Sequence, residues 1–146
     1  MRVMSMSKVG KTLTPEEEIK KIGLKRIAQI FADKIGGIND TQITISVSEC
    51  KGSVCPKLKP TAHIHLSRYD HRGTICVKRK ALALSGREAR FLMAHEVAHL
   101  GMRRHGLKHF AWIVFLLGLS PNQVNWEARL YHYAIEKLST QKEVRV

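Results

Sequence analysis

The chain has few cysteines, prolines, aromatic residues and acidic residues. Its 146 residues include 3 Cys, 4 Pro and 12 acidic side chains, and aromatic residues make up 6%. An odd, small number of cysteines argues against a disulfide framework. The longest apolar run, residues 110–119, is too short to cross a bilayer, and the first seven residues lack the apolar core of a signal peptide. We therefore expect a cytoplasmic protein without a membrane span.

Basic residues outnumber acidic ones by about two to one. There are 25 Lys and Arg residues against 12 Asp and Glu, which gives a formal net charge of +13. Such a charge favours nucleic acid, acidic membranes or acidic proteins as partners and says nothing about the fold. Basic clusters at 78–80 and 103–108 flank the motif described next. A nucleic-acid partner and a generic basic surface are equally compatible with this pattern.

The most informative motif is His95-Glu96-Val97-Ala98-His99, which has the HExxH spacing of zinc hydrolases. Four residues of α-helix correspond to about 400° of rotation and ~6 Å of rise, so both imidazoles project from one face. Ser85 and Glu88 upstream predict a capping box that opens this helix. The motif thus predicts that His95 and His99 bind one Zn²⁺ ion. The alternative is a buried amphipathic helix with two incidental histidines.

A catalytic zinc site needs a third protein ligand and keeps the fourth position for water. His105 lies six residues after His99 and could bind only if the helix ends first. Gly101, Arg103-Arg104 and Gly106 are typical of such an end. Glu127, at the front of a later helix, is a second candidate, because a carboxylate can also bind zinc. The spacing leaves both open.

The residues from His95 to Leu100, followed by His105-Gly106 and then Phe110 and Trp112, resemble the HExxHLxxxxHGxxFW stretch of SprT-like and YgjP-like zinc metallopeptidases. The similarity covers roughly residues 74–121. It implies a compact zincin-like domain in which His105 completes the zinc site. Some SprT-like proteins cut proteins that are crosslinked to DNA, so the resemblance also implies DNA-associated protein substrates.

The predicted reaction is zinc-dependent hydrolysis of peptide bonds in a protein or peptide substrate. Zinc lowers the pKa of a bound water and polarises a carbonyl, and Glu96 would accept the proton of the water and deliver it to the leaving amine. Residues 131–133 could supply an oxyanion donor, although packing and surface roles are favoured for them. One alternative keeps the enzyme and uses Glu127 as third ligand. The other is a non-catalytic, basic nucleic-acid-binding module with a structural metal site, which four protein ligands would close.

The order of predicted elements indicates an α+β fold. We expect a flexible basic tail over 1–13, a single zincin-like domain over 14–140 and a flexible tail over 141–146. The domain would contain an N-terminal helix, a small antiparallel three-stranded sheet, the HExxH helix and two C-terminal helices, the last opened by Ser120-Pro121. We expect residues 74–78 to form a sheet edge that could pair with an extended substrate.

A second metal site is a weaker hypothesis. Cys50 and Cys55 precede His63 and His65, and thiolates and imidazoles are zinc ligands. The spacing is loose, and strand alternation alone would place the two histidines on one face. Roles in the sheet and its turns are therefore favoured for these four residues.

Overall fold

The computed structural model describes residues 12–36, 41–47, 62–66 and 72–145. The elements are α1 (Pro15–Gly36), β1 (Gln42–Val47), β2 (Ala62–Leu66), β3 (Arg72–Val77), α2 (Gly86–Val97), α3 (Leu107–Leu117) and α4 (Pro121–Arg145). Short 3₁₀ segments cover Arg79–Ala83 and Ala98–Leu100. The α+β class and the order of helices are confirmed. The helix α4 includes residues 141–145, which were expected to form a tail. Of the predicted N-terminal tail, residues 1–11 lie outside the described residues.

Local sequence sets where three of the helices begin. At each start a hydroxyl side chain accepts a hydrogen bond from the backbone N–H three residues later, and that residue's side chain accepts one in return. The pairs are Thr14 with Glu17, Ser85 with Glu88, and Ser120 with Gln123. Loss of such a cap typically costs about 1 kcal/mol.

The sheet has three strands, as predicted, but it is mixed and not antiparallel throughout. The strand order is β1-β3-β2, with β1 parallel to β3 and β2 antiparallel to β3. Ile75 of β3 lies between Ile45 of β1 and Ile64 of β2. The antiparallel prediction was wrong because it assumed that successive strands are neighbours, whereas β1 and β2 lie on opposite sides of β3.

The expected substrate-binding edge at residues 74–78 is also contradicted. Thr74 pairs with Thr44 on one side and with His65 on the other, so β3 is the central strand. Its backbone hydrogen-bonding groups are used within the sheet on both sides. A substrate strand could not be added there without displacing β1 or β2.

The core lies between α1, the sheet and α2, and the two C-terminal helices close it. The fully buried large side chains come from every layer and are Phe31, Ile43, Ile75, Val77, Met93, Val97, Leu116 and Val124. Three isoleucines of α1 that keep helical spacing, Ile19, Ile22 and Ile30, lie instead on its exposed side. Across the described ranges, each helix is too short or too polar to span a bilayer.

Gln29 and Lys34 of α1 form hydrogen bonds with neighbouring elements. Gln29 donates to the carbonyl of Thr41 at 2.8 Å and accepts from the N–H of Ile43 at 2.9 Å, so its amide pairs with the outer edge of β1. Lys34 donates to the carbonyl of Leu116 at 3.1 Å, in the last turn of α3. A cation there interacts favourably with the negative end of the helix. The contact of Lys34 holds the end of α3, the helix after the motif, against α1.

Close packing of Trp112 on Gly101 joins α3 to the end of the motif helix. A Cβ built on Gly101 would lie 2.3 Å from two atoms of the Trp112 indole. Because the ring is rigid and partly buried against the core, any larger residue would push it away. The absence of a side chain at Gly101 therefore allows Trp112 to pack closely against the end of the motif helix.

Replacing Gly101 by Ala should lower the free energy of unfolding by about 1–3 kcal/mol, because the added methyl group overpacks the Trp112 contact. The matched control is Gly23→Ala in the interior of α1, where a Cβ meets nothing within 4 Å. That change should raise stability by about 0.5–1 kcal/mol. Denaturant unfolding of both variants measures the difference, and equal effects would contradict the packing argument.

Candidate metal centre

The helix α2 carries the first two histidines of the centre. It runs as an α-helix only to Val97, and His99 lies in the 3₁₀ turn that follows. The rings of His95 and His99 lie 5.6 Å apart between centroids, edge to face. The predicted helix and its early end are confirmed, and the two imidazoles face one point as the HExxH spacing requires.

His105 returns to the same point from the segment that follows. Residues 101–106 are non-helical, and Gly106 adopts φ 147° and ψ −163°, a region that is essentially confined to glycine. This turn brings the His105 ring to 5.1 Å from that of His95 and to 4.9 Å from that of His99. The three histidines proposed from the sequence therefore come together.

A fourth histidine, His109, was missed as a ligand candidate. It lies in the first turns of α3, is 3% exposed, and its ring centroid is 4.2 Å from His99 and 4.7 Å from His95. A signal for it exists in the sequence, because His105 and His109 repeat the His-x3-His spacing of His95 and His99. The ligand atoms of all four lie within 4.8 Å of one another.

Hydrogen bonds to backbone carbonyls orient two of the rings. His109 donates through Nε2 to the carbonyl of His95 at 2.8 Å, and His99 donates through Nδ1 to the carbonyl of Met102 at 3.1 Å. Because a carbonyl only accepts, each of these nitrogens carries the proton. Nδ1 of His109 and Nε2 of His99 are then left as metal ligands. Metal-binding histidines are commonly oriented in this way.

Burial favours the uncharged form of three of the four imidazoles. Burial, and then the neighbouring His109, His105, His99 and His132, lower the pKa of His95 to about 3. Burial is also the main cause that lowers the pKa of His99 and of His109. Neutral imidazoles are the form that binds metal, so these three side chains need not lose a proton at neutral pH.

Glu96 follows His95 in the motif helix and is 4% exposed. Burial raises the pKa of its carboxyl group to about 8. Within the described part of the chain, no side chain forms an ion pair with it. A bound dication would favour the ionised form of such a carboxyl group. Glu96 is thus a buried carboxyl group whose ionisation the fold disfavours, and it follows His95 directly in the chain.

Glu127, the alternative third ligand, is engaged elsewhere. Its carboxylate accepts hydrogen bonds from Nε of Arg87 at 2.9 and 2.7 Å and forms an ion pair with the same guanidinium. Arg87 precedes His95 by eight residues, which is about 12 Å along the helix axis. Glu127 does not belong to the group of side chains whose ligand atoms converge.

Residues 131–133, the suggested oxyanion donors, are not among the converging groups. Tyr131 is buried and packs on Phe91 with ring centroids 5.4 Å apart, whereas His132 and Tyr133 are exposed. Of the suggested second site, Cys50 and Cys55 lie outside the described residues, and His63 and His65 lie on β2.

The donor set fits a transition metal. Imidazole nitrogen suits zinc, copper, iron and nickel, whereas calcium and magnesium prefer oxygen. Metal–nitrogen bonds of about 2.0–2.1 Å in a tetrahedral site place ligand atoms about 3.3 Å apart. Ligand atoms that lie within 4.8 Å of one another would have to approach by at most about 1.5 Å to reach that separation. The four histidines form a possible metal site.

Comparison with protein-family models, with curated proteins and with solved structures found no match to this chain. Its function is therefore inferred from the geometry of the cluster and its surroundings.

Glu96→Gln should stabilise the metal-free protein at alkaline pH. Because the pKa of Glu96 is about 8 in the fold against an ordinary value of 4.5, the wild type loses stability as pH rises through this window. The gain in unfolding free energy on substitution should therefore grow from pH 4.5 upward and level off above pH 8, at no more than about 5 kcal/mol. Denaturant titrations in the presence of a chelator measure it. A pH-independent difference would contradict the buried, protonated carboxyl group.

Proposed function

We propose that the protein is a zinc-dependent metallopeptidase. The observation that carries this proposal is the burial of Glu96 in the motif helix, one residue after His95 and three before His99, whose rings converge with two others on one point. A metal site that served stability alone would not need a carboxyl group there, and its burial is costly. The resemblance of residues 95–112 to SprT-like and YgjP-like metallopeptidases supports the same proposed function.

The proposed chemistry divides between the metal and the chain. A bound Zn²⁺ supplies a water of near-neutral pKa and polarises the substrate carbonyl. Glu96 would accept the proton of the attacking water and deliver it to the amine that leaves when the peptide bond breaks. His95 and His99 would hold the ion, and the hydrogen bond from Nδ1 of His99 to the Met102 carbonyl leaves its Nε2 free to bind it.

The decisive variant is Glu96→Gln. It should bind zinc with the stoichiometry of the wild type and lose at least about 100-fold in the rate of peptide cleavage, because the amide cannot accept the proton. Cleavage of a quenched fluorescent peptide library and metal analysis of the same samples measure the two properties.

The matched control is Glu127→Gln, which changes a carboxylate held by Arg87 outside the cluster. It should retain both zinc and cleavage. Full activity of the Glu96 variant would refute the proposal, and loss of zinc only in the Glu127 variant would restore Glu127 as a ligand.

A non-catalytic protein with a structural metal site is the second candidate. The observation that favours it is the number of converging imidazoles, because four protein ligands leave no position for water. On this alternative, metal removal unfolds the protein and no peptide is cleaved under any condition. Whether all four histidines stay bound to the metal therefore distinguishes a structural site from a catalytic one.

We further propose that the substrates are proteins bound to nucleic acid. The net charge is +13, and Arg103, Arg104 and Lys108 are exposed in and just after the segment that carries His105. Cations placed there would hold a phosphate backbone beside the metal centre.

Affinity for a fluorescent DNA duplex should fall steeply as salt rises from 50 to 200 mM, because each phosphate contact releases counterions. Replacing Arg103 and Arg104 together by Ala should reduce the slope of log affinity against log salt by about 2. The control replaces Lys20 and Lys25, which are exposed on α1, and should change the slope less. Affinity that does not depend on salt would remove the nucleic-acid proposal.

A further inference from the structure

The four imidazoles of the cluster differ in how firmly the fold holds them. His109 is 3% exposed, His95 and His99 are partly buried, and His105 is exposed. We propose that His95, His99 and His109 are the permanent ligands and that His105 is a removable fourth ligand, whose departure opens the position used by water and substrate. This inference rests on the proposed metallopeptidase function. It reverses the assignment that the resemblance gives, in which His105 is the third ligand.

His109 has the features of a fixed ligand. It lies on α3, whose side chains Ile113 and Leu116 are buried in the core. The hydrogen bond from its Nε2 to the carbonyl of His95 leaves Nδ1 as the ligand atom. Withdrawing this ring would break that bond and move a helix that packs against the core. The cost of such a change makes His109 a poor candidate for the ligand that leaves.

His105 has the opposite features. It lies in the non-helical segment 101–106. Gly106, directly after it, adopts a conformation that is essentially confined to glycine. In the described part of the chain, its side chain contacts the other rings of the cluster but has no hydrogen-bond partner. Its ring can therefore swing outward without breaking a hydrogen bond or moving a helix.

The direction of the vacancy gives the strongest argument. A substrate carbonyl and a water molecule must reach the open coordination position from solvent. If His109 left, the vacancy would face the interior, because that side chain is 3% exposed. If His105 left, the vacancy would face the exposed side. Only the second case gives a usable active site, so the resting form is closed by four imidazoles and opens when a substrate displaces His105.

The test compares His105→Ala with His109→Ala in the full chain, by competition for zinc with a chelator. His109→Ala should weaken zinc binding by more than the ~10–100-fold typical of losing an outer partner of a metal ligand, whereas His105→Ala should stay within that range. A larger loss in His105→Ala than in His109→Ala would overturn the inference and leave the proposed function intact. If the wild type binds no zinc, the proposed function falls as well.

A second measurement avoids the variant at the buried position, which could fail to fold. Cobalt replaces zinc, and its visible absorption reports the ligands around the ion. The wild-type spectrum should not respond to added azide, because four imidazoles fill the site, whereas the His105→Ala spectrum should shift as azide takes the vacant position. A wild-type spectrum that responds to azide as strongly as the variant spectrum would contradict a closed resting site.

Discussion

The candidate metal centre depends on the place at which α2 stops being an α-helix. Six further residues of regular helix after His99 would rotate His105 by about 600° and carry it ~9 Å along the axis, away from the ligand face. Instead the α-helix ends at Val97, a single 3₁₀ turn follows, and Gly106 reverses the chain. This reversal brings His105 back to His95. It also places the first turns of α3 beside the HExxH motif.

The hydrogen bond between His109 and the His95 carbonyl joins the site to the fold. The His95 carbonyl lies in the last turn of α2, where carbonyls lack a full set of donors within the helix. His109 supplies a donor at 2.8 Å, and the same contact orients its ring toward the other imidazoles. Likewise, the hydrogen bond from His99 to the Met102 carbonyl orients the His99 ring and gives that carbonyl a donor at the start of the connecting segment. Backbone groups left over by the helix end thus become the outer partners of the metal ligands, so the end of the helix and the geometry of the centre stabilise each other.

Features set by neighbouring residues were predictable from the sequence. The capping pair of Ser85 and Glu88, the end of the motif helix and the return of His105 all follow from residues close in the chain. Features set by distant contacts were not. The strand order depends on how β1 crosses to the far side of β3, and Glu127 is engaged by Arg87, 40 residues earlier. His109 falls between the two cases, because its spacing to His105 was visible but its inward direction depends on how α3 packs.

The chemical nature of the ligands determines the charge at the centre. Neutral imidazoles do not reduce the charge of a bound dication, whereas a carboxylate ligand such as Glu127 would cancel half of it. Arg87 engages Glu127, and Glu96, which follows His95 in the chain, is not one of the converging groups. Four neutral imidazoles would leave the charge of a bound dication available to polarise a carbonyl. Arg103 and Arg104 extend the positive potential to the exposed side, on which His105 lies. The approach to the cluster therefore favours polar or anionic groups.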